Sequence, residues 1–396
     1  MKKLLLLIVL LSSILLAADW PIFRGANQNS ISEEKDWNPQ SIENIIWSKN
    51  VGTGYSAVTT SKGRVYTIGN VDDKDYIYCL DEKTGGEIWK YSYDYNLESR
   101  YPGPRSTPTI YGDELYNFSR EGDLYCLNAE TGKLIWRKSS TTDFGLEVKH
   151  WGMCSSPVIV DDVLLMNSGG GGLAVNKNNG ELIWKNEEGD GHAFSTPVLY
   201  ENDSKAMLFN QKNVYAIDVK SGKQAWTFPW ETRFGNNSAD PVMINGKVLV
   251  SQGYKMGCAL LDISDTEAKM VWENPDMSNH FGTSIYVNGF IYGPNGNSGR
   301  KQSNLVSIDP KTGKIIWTQK IGFNSIVFSD NKLIILKESG DLIIADITNN
   351  EYKELAKAKV LETSKDNPCW TMPVLSNGKI YCRNYVGDLV CIDVSN

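Results

Sequence analysis

One feature limits the fold of this chain more than any other: it repeats itself. Pro108-Thr-Ile-Tyr-Gly-Asp-Glu-Leu-Tyr runs on to Tyr125-Cys-Leu-Asn-Ala-Glu-Thr-Gly-Lys-Leu-Ile-Trp136, and weaker copies start at Pro157, Pro197, Pro241 and Ser284. Aligned on their turns, equivalent positions fall at 58, 108, 157, 197, 241, 284, 326 and 373, a mean spacing of 45 residues. Within a unit the apolar period is two, as at Leu115–Phe118 and Leu124–Leu127, and polar turns rich in Gly, Asp and Asn separate the runs. Four short strands recurring every 45 residues or so make a blade of a β-propeller. The rival is an open solenoid. Closure decides against it, because the last unit stops after three strands at Cys391-Ile-Asp-Val while Ile45-Ile46-Trp47 is a strand without a unit. The predicted fold is all-β: a single eight-bladed β-propeller of four-stranded blades, with the N-terminal strand closing the last blade and leaving no open sheet edge.

The chain divides into a signal peptide at 1–18, an N-terminal arm at 19–44 and the propeller at 45–396. Met1-Lys2-Lys3, an apolar run from Leu4 to Leu16 and Ala17-Ala18 form an export signal too short to span a bilayer. No Cys follows the run to take a lipid, so the expected protein is periplasmic or secreted, monomeric, and not stably inserted in a membrane. Forty basic against 47 acidic residues give a net charge of −7, which argues against a nucleic-acid partner. Seven Cys in an oxidising compartment permit disulfides. If Tyr381–Val394 is a hairpin with Tyr385 opposite Asp388, Cys382 faces Cys391 and the two can bridge.

Each unit ends in a motif, clearest as Cys79-x-Asp81-x-x-Thr84-Gly85-x-x-x-Trp89, and seven of the twelve Trp occupy its last position: Trp47, Trp89, Trp136, Trp184, Trp226, Trp272 and Trp317. Two units depart from it: the fifth has two extra residues before Trp272, and the seventh has Glu354 at the Trp position. The motif resembles the tryptophan-docking motif of the pyrroloquinoline-quinone (PQQ)-like propellers, over nearly the whole chain. Asp19-Trp20-Pro21-Ile22-Phe23-Arg24-Gly25 likewise resembles the Trp-Pro-x-x-Arg-Gly opening of exported members, with Trp20 and Phe23 pinning the arm. The resemblance implies that the Trp residues dock neighbouring blades. It also implies one of two functions. Quinoprotein dehydrogenases of the family hold PQQ over the channel with calcium, and many carry a disulfide between adjacent cysteines. Other members, among them the lipoprotein of outer-membrane β-barrel assembly, are non-catalytic. This chain has no adjacent Cys pair and is short for a dehydrogenase. The favoured expectation is a non-catalytic binding or scaffold module without a cofactor; the alternative is a PQQ- and calcium-dependent oxidoreductase or another enzyme using the same surface.

Candidate function lies in the connections that run from an outer strand to the next inner strand, where propeller ligands commonly sit. They carry Arg105, His150, Trp151, His192, Asp240, His280 and Trp370. Arg105 would supply charge, the Trp rings stacking surfaces, and His and Asp240 directional hydrogen bonds to a small molecule, glycan, peptide or envelope protein. The same residues could instead plug the mouth, or the three His could hold a metal. No HExxH, P-loop or GxSxG motif appears, so no catalytic or metal-ligating residue is assigned.

Overall fold

The computed structural model describes residues 18–95, 101–148, 151–168, 170–186, 194–232, 234–300 and 302–396. Eight antiparallel four-stranded sheets form a ring, a β-propeller with eight blades. Blade 1 holds Thr59–Ser61, Arg64–Val71, Lys74–Asp81 and Glu87–Asp94, from the channel outward, and the first strands of the other blades start within two residues of the positions aligned from sequence. Blade 8 takes its outer strand, Ile45–Asn50, from the other end of the chain, pairing Trp47 with Cys391 and Ile45 with Ile392.

The middle strands are buried on both faces, as in Val163–Met166 and Leu333–Leu336, because each sheet is sandwiched between two others; this is why they read as unbroken apolar runs. Several first hairpins turn on two residues of positive φ, such as Asn245-Gly246 and Asn288-Gly289. That is the turn whose twist matches paired strands. Asp72-Asp73 and Asp161-Asp162 are hairpin turns of this kind of length.

The repeated motif has a local and a long-range part. Locally, Asp81 Oδ1 accepts from Thr84 N and Oγ1, both at 2.8 Å, so the turn is held before any packing occurs. At long range, the indole of one blade lies on the turn glycine of the next: a Cβ on Gly85 would come within 2.6 Å of the Trp47 ring, and one on Gly222 within 2.5 Å of Trp184. The Nε1 of six of the seven indoles also donates to a carbonyl of the next blade, as in Trp89 to Ala129 O at 3.1 Å and Trp136 to Lys177 O at 2.9 Å. Trp226 faces the blade with the longer turn, and its Nε1 has no such partner.

Two expectations need correction. In blade 7 the residue at the Trp position is Ala356, opposite Ile344 across the bulge; Glu354 lies two residues earlier, opposite Ala345. Trp37 of the arm, 4% exposed, joins the same core cluster as Ile334, Ile344 and Val394, with its Nε1 on Ser329 Oγ at 3.1 Å. An indole from outside the repeat thus enters the core of blades 7 and 8. The Cys382–Cys391 bridge is also absent. The hairpin pairs Tyr381 with Cys391 and Cys382 with Val390, one residue out of the register read from sequence, so the two thiols point to opposite faces and both are free. The reason is the turn: Asn384 N donates to Asp388 O, and Asn384 Oδ1 caps Asp388 N at 2.8 Å, making a longer loop than a two-residue one.

The arm does more than pin itself to the ring. Trp20 O accepts from Thr60 N, Pro21 O from Ile110 N, and Gln28 spans Pro197 O and Leu199 N, while Ile31 pairs with Phe328. These partners sit on the innermost strands of blades 1, 2, 4 and 7, so residues 20–31 cross and fill the channel.

Candidate functional site

Two sets of connections reach the same face of the ring: the incoming segments before each first strand, and the turns between second and third strands. With the arm as floor, they enclose a cavity of about 430 Å³, whose walls include Tyr55, Tyr101, Arg105, Trp151, Phe194, Asp240, His280, Phe281 and Trp370, and whose floor is Phe23, Arg24 and Ser30.

The rings form a continuous collar. Trp151 stacks on Tyr101 (6.1 Å between centroids), Tyr101 meets Trp370 (5.9 Å), and Trp370 stacks on Tyr55 at 16° and 5.6 Å. On its other side Trp370 meets Phe281 (5.1 Å), which stacks on His280, and His280 meets Tyr254 edge-on at 4.9 Å. The Trp370 ring is oriented by its Nε1, which donates to Glu338 Oε1 at 2.7 Å. Rings held this way offer stacking surface with little left to order when a ligand arrives.

Arg105 is wedged between Tyr55 and Trp151, its Cζ 5.8 Å from each ring centre. Its Nη2 donates to Tyr101 O at 2.9 Å and its Nη1 to Trp151 O. His280 is buried, with Nδ1 accepting from Ser298 N and Nε2 facing Tyr254 OH at 3.0 Å. Burial lowers its pKa to about 4, so the ring is neutral at physiological pH and is no base tuned to it.

Of the residues singled out from sequence, Arg105, Trp151, Asp240, His280 and Trp370 line one cavity, and His150 and His192 lie outside the described residues. Asp240 does not present a free carboxylate. Its Oδ2 accepts from Arg24 Nη1 at 3.3 Å and its Oδ1 from Thr196 N at 2.8 Å, and both side chains of the ion pair are at most 3% exposed. Burial pushes Asp240 up and Arg24 down, while their mutual attraction opposes both shifts. The pair ties the arm to blade 5. Calcium takes about six to eight oxygen ligands, chiefly carboxylates and carbonyls. Asp240 is the one carboxylate among the described lining residues, and it is committed to Arg24 and Thr196, so these residues do not fit a calcium–quinone centre. No group of three His, Cys, Asp or Glu side chains with metal-site geometry occurs among the described residues.

Sequence reasoning passed over Tyr55, Arg120, Tyr254, Arg300 and the floor. Tyr55 was within reach, since it sits just before a first strand as Arg105 does. Arg120, Tyr254 and Arg300 belong to turns between second and third strands, which read from sequence only as polar punctuation.

A family model described as outer membrane protein assembly factor BamB matches residues 42–187 and 73–319. Among curated proteins, the chain is 24% identical over 218 residues to the outer membrane protein assembly factor BamB of Moranella endobia, covering 52% of this chain and 53% of that protein. It is 23% identical over 215 residues to the tetrathionate hydrolase of Acidithiobacillus ferrooxidans, covering 50% of this chain and 40% of that one. The matches thus span about half the length of these relatives, or less. Among solved structures, the quinohemoprotein alcohol dehydrogenase of Comamonas testosteroni superposes with a TM-score of 0.73 at 13% identity, over 96% of this chain and 81% of the other. BamB of Moraxella catarrhalis superposes at 0.63 and 13%, over 88% and 97%. At such identities these structures speak for the fold alone.

Proposed function

Because the chain belongs to the PQQ-like β-propeller family, we propose that it is a binding or scaffold module of the cell envelope that works through the collar-lined mouth. The observation that carries this reading is the cavity itself: the arm closes it below, fixed aromatic rings surround it, and its one described carboxylate is neutralised within the protein. Such a site is built to hold a ligand, whether a small molecule, a glycan or a peptide end. The match to a factor named for outer membrane protein assembly supports an envelope location, and the apolar run at 4–16 is in keeping with export as a periplasmic or secreted protein. No helix among the described residues is long and apolar enough to cross a membrane.

An enzymatic reading has the likeness to the tetrathionate hydrolase and the dehydrogenase fold behind it. One titration separates the binding-module reading from the quinoprotein alternative. The purified protein is mixed with PQQ and calcium while absorbance and dye-linked alcohol oxidation are followed, and a ligand panel is screened in parallel by tryptophan fluorescence. Stoichiometric quinone uptake with turnover would overturn the binding-module reading. Binding without turnover, weakened at least tenfold by Trp370→Ala in a protein that still folds, is the expected result.

A further inference from the structure

Two arginines converge at one side of the collar. Arg120, 1% exposed, lies in the turn between the second and third strands of blade 2. It donates to the same two carbonyls that Arg105 uses: Nη1 to Tyr101 O at 3.1 Å and Nε to Trp151 O at 3.3 Å, with a further bond from Nη1 to Tyr95 OH at 2.7 Å. Its Nη2 is buried without a partner. Arg105 takes Tyr101 O and Trp151 O as described, and its Nη1 also lies 3.8 Å from Cys154 Sγ.

Among the described residues neither guanidinium has a carboxylate at ion-pair distance. Two like charges therefore share neutral acceptors in a partly desolvated place, where their repulsion is weakly screened. Arg105 and Arg300 stand in the cavity wall, whereas Arg120 is buried outside it, and the single described lining carboxylate, Asp240, is committed to Arg24. Among the described residues Asp75 attracts Arg120 without making an ion pair with it, so the local excess of positive charge is only partly balanced there.

We infer that the mouth recognises an acidic small molecule, whose oxoanion group sits against Arg105, with the buried charge of Arg120 behind it, while its body lies among the collar rings. This rests on the reading of the mouth as a binding site and names the class of ligand. Arg105 offers charge-assisted hydrogen bonds, which are stronger than neutral ones and are lost if the acid is capped as an amide, and Arg120 adds to the positive potential there. The anion could be an inorganic oxoanion or the carboxylate of an organic acid.

The test uses matched probes. Indole-3-acetate and indole-3-acetamide are titrated by calorimetry against the wild type and Arg105→Gln. Melting is also followed with sodium sulfate against sodium chloride at equal ionic strength. The expected result is that the acid binds roughly tenfold or more tightly than the amide, and that this preference collapses in Arg105→Gln. Stabilisation by sulfate that is lost in the variant, with no acid preference, would assign the site to an inorganic oxoanion. Arg105→Gln separates a ligand role from a structural one: relief of repulsion predicts little or no loss of melting temperature in chloride, but a loss relative to wild type when an oxoanion is present. An equal loss in both salts would overturn the inference. Equal binding of acid and amide with no sulfate effect would overturn it while leaving the binding site standing. No binding of either probe and no sulfate effect on the wild type would overturn the inference, and the panel screen would then decide the broader reading.

Discussion

Removing the carboxylate of Asp240 tests how the channel is filled. In Asp240→Ala, Arg24 stays 2% exposed with its ion-pair partner gone, and Thr196 N loses its acceptor. Stranding one member of a buried pair costs about 3–5 kcal/mol. For a chain of 396 residues, an unfolding entropy of ~2 cal/mol/K per residue gives ~0.8 kcal/mol/K, so the melting temperature should fall by about 4–6 °C if the ring unfolds as one unit. Should the arm detach first, the thermal shift is smaller and residues 20–32 become a protease site. Calorimetry and timed proteolysis read the two cases. The double variant Arg24→Met with Asp240→Leu should lie closer to wild type than Asp240→Ala, because no charge is left buried alone. If Asp240→Ala melts within a degree of wild type and its arm resists protease, the ion pair does not anchor the arm and the reasoning fails.

Trp136→Ala should cost about 3–5 kcal/mol in urea denaturation. Gly180→Ala should destabilise as well, since its φ is +72° and a Cβ would lie 2.8 Å from the Trp136 ring. Arg383 is wholly buried and donates to Ser56 O, Ile68 O and Gly52 O across the seam between blades 8 and 1. Arg383→Met leaves those carbonyls bare at about 1–3 kcal/mol each, not strictly additive, so a loss above ~2 kcal/mol is expected by chemical denaturation. His280, lowered to about 4 from 6.5, binds its proton in the unfolded chain first. Its effect is nil above pH 6.5 and destabilises progressively as pH falls toward 4, by up to ~3 kcal/mol. Asp75, raised to about 6 by burial, works in the opposite sense over the same range. The measurement is therefore the difference between wild type and His280→Gln across pH 4–7, which should narrow as pH drops.

What could be read from the sequence was what short-range chemistry writes into it. Period-two runs such as Leu124–Leu127 and turn motifs such as Asp81–Gly85 give strands and hairpins before packing matters, and their recurrence gives the ring. Register inside an irregular turn was harder: the side-chain cap of Asn384 on Asp388 moved Cys382 by one residue and turned its thiol to the other face. In blade 7 the 3-10 turn Thr348–Asn350 lengthens the connection and hid that Ala356, not Glu354, stands at the docking position. At the mouth, residue type pointed to Trp151, Trp370 and Arg105. No pattern in the chain announces that Asp240 is answered by Arg24, 216 residues away.

The strand that seals the ring raises a question of timing. Ile45–Asn50 is translated early, yet its pairing partner, Asp388–Asp393, is the last strand of the ring to be made. Until the two meet, blade 8 lacks its outer strand and Ile45–Asn50 is an unpaired strand. Contacts across so much sequence close slowly, so closure of the ring should be a late step in folding.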